Sequence, residues 1–350
     1  MRKKSHYALV AVLAMSIVAA TGCSLTPEKT STPSDSSQGA TKGEQATNVM
    51  PTTVYVSNQN GFVVPLNIKM EKTNSIAKAT LEHMVQGSSG DAALSGTGLH
   101  NVLPKGTQIK GVAINNHVAR VDFSKDVLNY KSAAEEQAIV DSVVWTLTGI
   151  EGISKVQFAV EGRTQATLKN GTPIADAISR ENGINLQVSK DVSNPTNATK
   201  LTLYFTGANP QGDYAYLVPV TRIVPKADAS KMVDLTLAEL AKGPNAAGLE
   251  AVVQPTMKLQ KSEQKDKVAM LDFGDDFQVS SGTTAEKNMV NSIVLSVAAN
   301  TGVQQVQFTV NGKAPKAQAA AAKPDINVAK HGLDLTKPVT TPKVINEQKL

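Results

Sequence analysis

The sequence predicts an α+β fold, built as two tandem copies of a small β-β-α-β-β-α-β domain with helices packed on a mixed sheet. Three observations predict it. Val118-Ala-Arg-Val-Asp-Phe123 recurs as Val268-Ala-Met-Leu-Asp-Phe273, and Val156-Gln-Phe-Ala-Val-Glu-Gly162 recurs as Val306-Gln-Phe-Thr-Val-Asn-Gly312, both 150 positions on. A constant spacing means that the stretch between the two blocks keeps its length, as a true repeat requires. Within that stretch Ile139, Val140, Val143, Val144 and Leu147 fall at helical spacing, matched by Met289, Val290, Ile293, Val294 and Val297. After it, Val156, Phe158 and Val160, and Val306, Phe308 and Val310, alternate with the period of a half-buried strand. A chain of 350 residues, 41% apolar, is long enough for two cores.

The first copy opens with a β-type run, Thr53–Val56, a turn at Asn58–Gly61 and a second run, Phe62–Leu66. The second copy opens with Leu201–Phe205 and, after a Gly/Asn/Pro turn, Tyr214–Val218. Pro65 and Pro219 fall at matching places and favour an edge position, because proline gives no N–H to a ladder. A first helix follows, with one apolar stripe to dock on a sheet. Its face is Ile76, Ala77, Thr80, Leu81, Met84 and Val85, closed by Gly87, and then Met232, Val233, Thr236, Leu237, Leu240 and Ala241, closed by Gly243-Pro244.

The loop Ser88–Leu103 is longer in the first copy. A hairpin comes next, Gln108–Ile114 and His117–Phe123 around Asn115-Asn116, and in the second copy Met257–Gln260 and Lys267–Phe273 around a longer charged turn. Ser132-Ala-Ala-Glu135 is a capping-box pattern that starts the second helix. Gly183-Ile-Asn-Leu186 and Gly332-Leu-Asp-Leu335, 149 apart, read as one closing element. The expected organisation is therefore a first domain over 52–188, a linker over 189–200, a second domain over 201–337 and a flexible tail over 338–350.

The N-terminus has Arg2, Lys3 and Lys4 before an apolar run from Ala8 to Ala20, too short to span a bilayer and suited to a secretory signal over 1–22. Ala20-Thr-Gly-Cys23 resembles a bacterial lipobox, with Ala where Leu is usual, and marks Cys23 as the lipidation site. Cys23 is the sole cysteine, so disulfides are excluded. Residues 23–51 hold almost no large apolar side chain and are expected to be a disordered tether, of roughly 30 Å root-mean-square span. The chain has 35 basic and 30 acidic side chains. The first 22 residues hold three of the basic ones, so the excess falls from five to two without them, too little for a nucleic-acid footprint.

No constellation carries chemistry. After the signal, the histidines His83, His100, His117 and His331 have no second histidine or cysteine at metal-ligand spacing. Leu271-Asp-Phe-Gly274 contains the kinase metal-binding tripeptide without the other kinase motifs. Its counterpart Val121-Asp-Phe-Ser124 marks it as a strand end whose aspartate bonds the following backbone amides. The pairs Asp122/Asp126 and Asp272/Asp276 lack enough oxygen ligands for calcium. Trp145, matched by Leu295, reads as core or as a patch at one domain's surface rather than a sugar platform. Neither catalytic residues nor cofactor or metal ligands are expected.

The lipobox-like Ala20–Cys23, the tandem copies, and the blocks running from Val118 through Ala138–Leu147 to Phe158 and from Val268 to Phe308 resemble the GerMN (sporulation and spore germination) domain family. The resemblance covers nearly the whole chain after the tether. It implies a non-enzymatic lipoprotein of sporulation and germination whose domains are similar to ring-building modules of secretion systems. It also implies a place on the outer forespore membrane, facing the intermembrane space, and work in assembling or localising the channel complex between mother cell and forespore. The implied partners are other envelope-spanning sporulation proteins, with the membrane reached through the lipid and self-assembly left open. A peptidoglycan-binding lipoprotein is the alternative. A solute-binding lipoprotein comes third, since its lobes usually interleave in sequence whereas these copies are sequential.

Overall fold

The structure, a computed structural model, describes residues 48–277, 283–315 and 333–347. In the first copy β1 (Val49–Asn58) and β2 (Val63–Glu71) form an antiparallel hairpin, followed by α1 (Ile76–His83) and the short β3 (Leu99–His100). Then come β4 (Ile109–Asn115), β5 (Val118–Phe123), α2 (Ala133–Leu147), β6 (Lys155–Val160) and the short β7 (Gln187–Val188). The second copy runs β8 (Ala198–Ala208), β9 (Ala215–Pro225), α3 (Met232–Ala241), β10 (Leu259–Lys265), β11 (Val268–Phe273), α4 (Thr284–Thr301), β12 (Gln305–Val310) and β13 (Val339–Thr340). The predicted α+β class and β-β-α-β-β-α-β order are thus present in both copies.

The strands of each copy divide between two sheets. One is the long hairpin, in the orders β2-β1-β3 and β7-β9-β8; the other is mixed, β4-β5-β6 and β10-β11-β12-β13. In each mixed sheet one pair, β5–β6 or β11–β12, is parallel and joined through the long helix. The helix explains the division. Thr146 of α2 accepts the Tyr55 N–H of β1 at 2.9 Å. In the second copy, Asn300 takes both the N–H and the C=O of Thr202, while Ser296 accepts the Tyr204 N–H and Ser292 donates to its C=O. Polar side chains of α2 and α4 therefore stand where a further strand would pair, which satisfies the backbone of the hairpin edge. The price is that these helices are not one-striped: α2 is buried continuously from Ile139 to Leu147.

Most of the predicted helix and strand faces are buried, with Ile76, Val85, Met232, Ala241 and Val310 only partly so. Leu81, Leu147, Val156, Val290, Ile293, Phe273 and Phe308 are each at most 1% exposed, and one apolar cluster runs through both copies. Truncating any such leucine to alanine removes about 2–5 kcal/mol. Ser132 caps α2 by accepting the Glu135 N–H, as expected, but the Glu135 carboxylate reaches the Lys131 N–H instead of closing the box on Ser132.

Several boundaries differ from the expectation. Val49–Pro51 belong to β1, so the tether ends before them; Cys23 and the rest of it lie outside the described residues. The first hairpin turns at Asn116-His117, one residue later than predicted, with φ of 48° and 62°. The second turns at Asp266-Lys267 with nearly the same angles, so its turn is not longer. β10 runs on through Lys261–Lys265, a largely exposed charged stretch without apolar alternation, which is why those residues read as turn.

The linker's last residues, Ala198–Lys200, already pair with β9. The tail from 338 is ordered as far as described: Val339 pairs with Val306, as Ile178 pairs with Val156 in the first copy. That correspondence is an offset of 161, not 149, so Gly332–Leu335 is not the counterpart of Gly183–Leu186. Eleven extra residues enter the second copy between β12 and β13.

Candidate functional site

Two places follow from how the copies differ and how they meet. They meet along β2 and β9. Asn185 donates through Nδ2 to the carbonyls of Val63 and Pro219, at 2.8 and 2.7 Å, and accepts the Val63 N–H. Asn346, at the same offset of 161, donates to the carbonyls of Leu217 and Pro65, at 2.7 and 2.8 Å, and accepts the Leu217 N–H. The two sets are reciprocal, as about a two-fold axis. Both asparagines hold positive φ, 49° and 55°, which asparagine tolerates better than most residues.

Pro65 and Pro219 supply the reason for this device. With no N–H at either position the strands cannot form an ordinary ladder, and an amide side chain bridges the gap from each side. β2 is indeed a terminal strand, as Pro65 predicted, whereas β9 is flanked at Arg222–Ile223 by β7. β7 comes from the first copy, so the copies also exchange a strand.

Arg222, 1% exposed, fixes that exchange. It donates to Gln187 of β7, to the Glu239 carboxylate at 3.2 Å and to the Gly243 carbonyl at 2.7 Å. Strand register places Ile68 at the corresponding position of the first copy, also buried. Nearby, Asp141 of α2 accepts from Gln137 and from the Asn185 N–H, and burial pushes its carboxyl up to about 6. The edges β2 and β9 are thereby consumed inside the molecule.

The edges of the mixed sheets are not. β4 and β10 each have one strand neighbour, and both carry a bulge at the same place, between Ile109 and Gly111 and between Leu259 and Lys261. Beyond the bulge β4 reads Gly111-Val112-Ala113-Ile114, uncharged, with Ile114 half exposed. At the same four positions β10 reads Lys261-Ser262-Glu263-Gln264. Lys110 of β4 is paired with Glu161, and the corresponding Gln260 of β10 bonds Asn311. Charged side chains along an edge oppose pairing with another strand, whereas an uncharged, partly apolar edge with free N–H and C=O groups accepts one. The edge of β4 therefore lacks the charges that β10 carries at the same positions.

The residues singled out in the sequence lie apart from one another, several of them in local contacts. Asp122 accepts the Gly162 N–H at 2.7 Å and Asp272 the Gly312 N–H at 2.8 Å, so each aspartate ties a strand end to the turn after the neighbouring strand, not to the amides following it. A hydrogen bond from Thr309, then that from Gly312, holds the Asp272 carboxyl below its ordinary value. Asp126 accepts from Ser124, and Asp276 is exposed. His117 sits in its turn against the Gly152 carbonyl and His83 is half-buried on α1. Burial holds the His100 imidazole below its ordinary value, with Glu135 pulling the other way. His331 lies outside the described residues. Trp145 is core, 5% exposed, and donates to the Gly183 carbonyl. Among the described residues no three His, Cys, Asp or Glu side chains gather as metal ligands, and no helix is long and apolar enough to cross a membrane.

Sequence reasoning did not find Asn185, Asn346, Arg222 or Glu239. Asn346 was hidden by the eleven-residue offset, and a charged pair in the core leaves no periodic signal. The aligned pair Gly-Ile-Asn185 and Val-Ile-Asn346 is the one trace that could have shown the bridge.

Comparison with known proteins agrees with this architecture. The model of the Germane family, described as sporulation and spore germination, matches residues 53–166 and again 202–316. The spore germination protein GerM of Bacillus subtilis (strain 168) is 35% identical over 316 residues, 87% of this chain and 80% of that protein. The solved structure of the tandem GerMN domains of the sporulation protein GerM from Bacillus subtilis superposes with a TM-score of 0.71 at 33% identity, over 85% of this chain and 99% of that one.

Proposed function

The chain belongs to the Germane family of sporulation and spore germination proteins, and on that premise we propose that it is a lipid-anchored assembly factor. In this reading Cys23 carries the lipid and the segment after it is a tether. The two fused copies are a non-enzymatic head that assembles or localises the channel complex between mother cell and forespore, standing on the outer forespore membrane and facing the intermembrane space. Its partners are envelope-spanning sporulation proteins, one of which adds an extended strand to the edge of β4.

The observation that carries the reading is the open edge Gly111–Ile114 beside its charged counterpart Lys261–Gln264. A partner strand there gains backbone hydrogen bonds for affinity and covers Val112 and Ile114 for specificity. The fusion through Asn185, Asn346 and Arg222 supports it too, because a rigid head presents one edge in one orientation.

The test places a photoreactive residue at position 113, or at 263 as the control, in the full-length protein in sporulating cells. Crosslinked material is identified by mass spectrometry. Capture of envelope-spanning sporulation proteins from 113 and not from 263 is expected. Recovery of wall polymer and wall enzymes alone would overturn the reading in favour of peptidoglycan binding, and equal capture from both edges would overturn the assignment of β4.

A further inference from the structure

Where the copies meet, a groove of about 560 Å³ opens whose walls come from both. The first copy contributes Pro51, Tyr55, Ile76, Ile150 and Arg180, and the second Tyr204, Leu295 and the segment Pro342–Ile345. The size falls in the range of small-molecule sites, and the lining is mostly apolar with a few polar groups, as such sites require.

Two of those polar groups are unusual. Tyr55 and Tyr204 occupy the same place in the two copies: each gives its backbone N–H to the long helix of its own copy, to Thr146 and to Ser296. They are 5% and 8% exposed, and neither hydroxyl has a hydrogen-bond partner among the described residues. Neither oxygen is among the enclosed polar atoms that lack a partner, so both hydroxyls open onto the groove, where each can donate to an acceptor that enters it. Burial, with a smaller contribution from Tyr55, keeps the Tyr204 hydroxyl protonated well above its ordinary range, against the pull of Arg180. Both phenols are donors at neutral pH.

Arg180 supplies the charge. Its guanidinium lies 4.6 Å from the Trp145 ring and 5.9 Å from the Tyr55 ring, and it donates from Nε to Thr148 and from Nη2 to the Trp145 carbonyl. Nη1 has no partner among the described residues. At the rim Lys343 adds a positive charge and Glu151 a negative one, so the lining is net positive. The arrangement is not symmetric: the second copy has Thr341 and Leu295 where the first has Arg180 and Trp145. The wall from the second copy is apolar apart from Lys343 and the Tyr204 hydroxyl.

We propose that this groove between the copies is a binding site for a small carboxylate on an apolar stem, held by Arg180 and by the Tyr55 and Tyr204 hydroxyls. The carboxylate takes the free Nη1 and the phenolic protons, and the stem lies against Leu295 and Ile345. Neither copy alone has this site, which gives the fusion of two copies a use beyond rigidity. The inference is independent of partner docking at β4.

Trp145, the sole tryptophan, reports on the site through the guanidinium stacked on it. The experiment titrates the protein with acetyl-Ala-Leu free acid, with its C-terminal amide and with octanoate, following tryptophan fluorescence and thermal shift. A saturable response to at least one acid is expected, with the amide at least tenfold weaker. Response to the peptide acid alone assigns a peptide C-terminus, and response to octanoate alone an acyl carboxylate; both support the site. Tyr204→Phe removes one hydroxyl and nothing else, and is expected to weaken binding by three- to tenfold. Arg180→Gln is expected to weaken it more than tenfold, with Arg180→Lys, which keeps the charge, in between. The proposal is overturned if no acid saturates below about 10 mM, an affinity too weak to count as a site. It is equally overturned if acid and amide bind alike, or if Tyr204→Phe binds as tightly as the parent.

Discussion

At the four edge positions past the bulge, the first copy has Gly111-Val112-Ala113-Ile114 and the second has Lys261-Ser262-Glu263-Gln264. Nine residues downstream of each edge the two are nearly the same, with Val121, Phe123 and Leu271, Phe273 all at 1% exposure or less. Packing holds the core positions to one solution, because a misfit there costs several kcal/mol, while an edge is free to be opened or closed. The same division shows inside. The first copy buries Ile68 where the second buries Arg222, and Asp141 of α2 faces the asparagine bridge where α4 carries Asn291. The copies share a scaffold and differ at its edges and where they join each other.

The sharpest break of that comparison is Glu239→Ala, which leaves the Arg222 guanidinium buried without its counter-charge. The expected loss is about 3–5 kcal/mol by chemical denaturation. His83, at the corresponding place on α1, is half-exposed, and His83→Ala is expected to change stability by less than about 0.5 kcal/mol. Similar losses from both would mean that the charged pair is not what holds β7 on β9.

Next come the bridging asparagines. Asn185→Ala and Asn346→Ala each strand the carbonyls and the N–H of the strands they join, and each is expected to remove about 2–3 kcal/mol. Amide exchange at Val63 and Leu217 is expected to accelerate in both variants. Because the contacts are reciprocal, a large inequality between the two would show that one of them alone closes the molecule.

Asp141 gives a pH dependence. Its carboxyl titrates at about 6 in the fold against an ordinary 3.8, so the folded state binds the proton more tightly. Stability contributed by this group is then present in full below about pH 4, falls as pH rises towards about 6 and is level above. Asp141→Asn, the choice α4 makes at Asn291, is expected to flatten that slope and to stabilise at pH 7 by about 1 kcal/mol. The full gain of two pK units, roughly 3 kcal/mol, is not reached, since an amide oxygen can replace only one of the two accepting oxygens. An unchanged slope would sink the assignment.

The smallest effect on stability is at the edge itself. Ala113→Lys gives β4 the character of β10 and is expected to shift stability by less than about 0.5 kcal/mol while abolishing capture of the partner. The converse, Glu263→Ala, is expected to leave capture as it was.

Much of this molecule was legible because burial imposes a period. The helix faces from Ile139 and from Met289, and the strands around Phe158 and Phe308, announced themselves twice. What was not legible lacks a period. β10 is a largely exposed strand with one strand neighbour, so its Lys-Ser-Glu-Gln run obeys no alternation and read as a turn. Asn346 acts across the molecule on Pro65, and no local pattern links the two. The hairpin of β4 could be read, but that its edge stays open while those of β2 and β9 are closed depends on which strands meet in space.

The bond from Asn346 to the Pro65 carbonyl spans 281 residues. Synthesis delivers β2 long before its bridge, so the Pro65 carbonyl, and later Leu217, wait for the Asn346 amide until the distal segment arrives. Contacts of such long sequence separation form slowly. A chain broken off before position 346 leaves bare backbone on both hairpins, and in that condition it differs from the finished protein in the very groups that proteases and chaperones inspect.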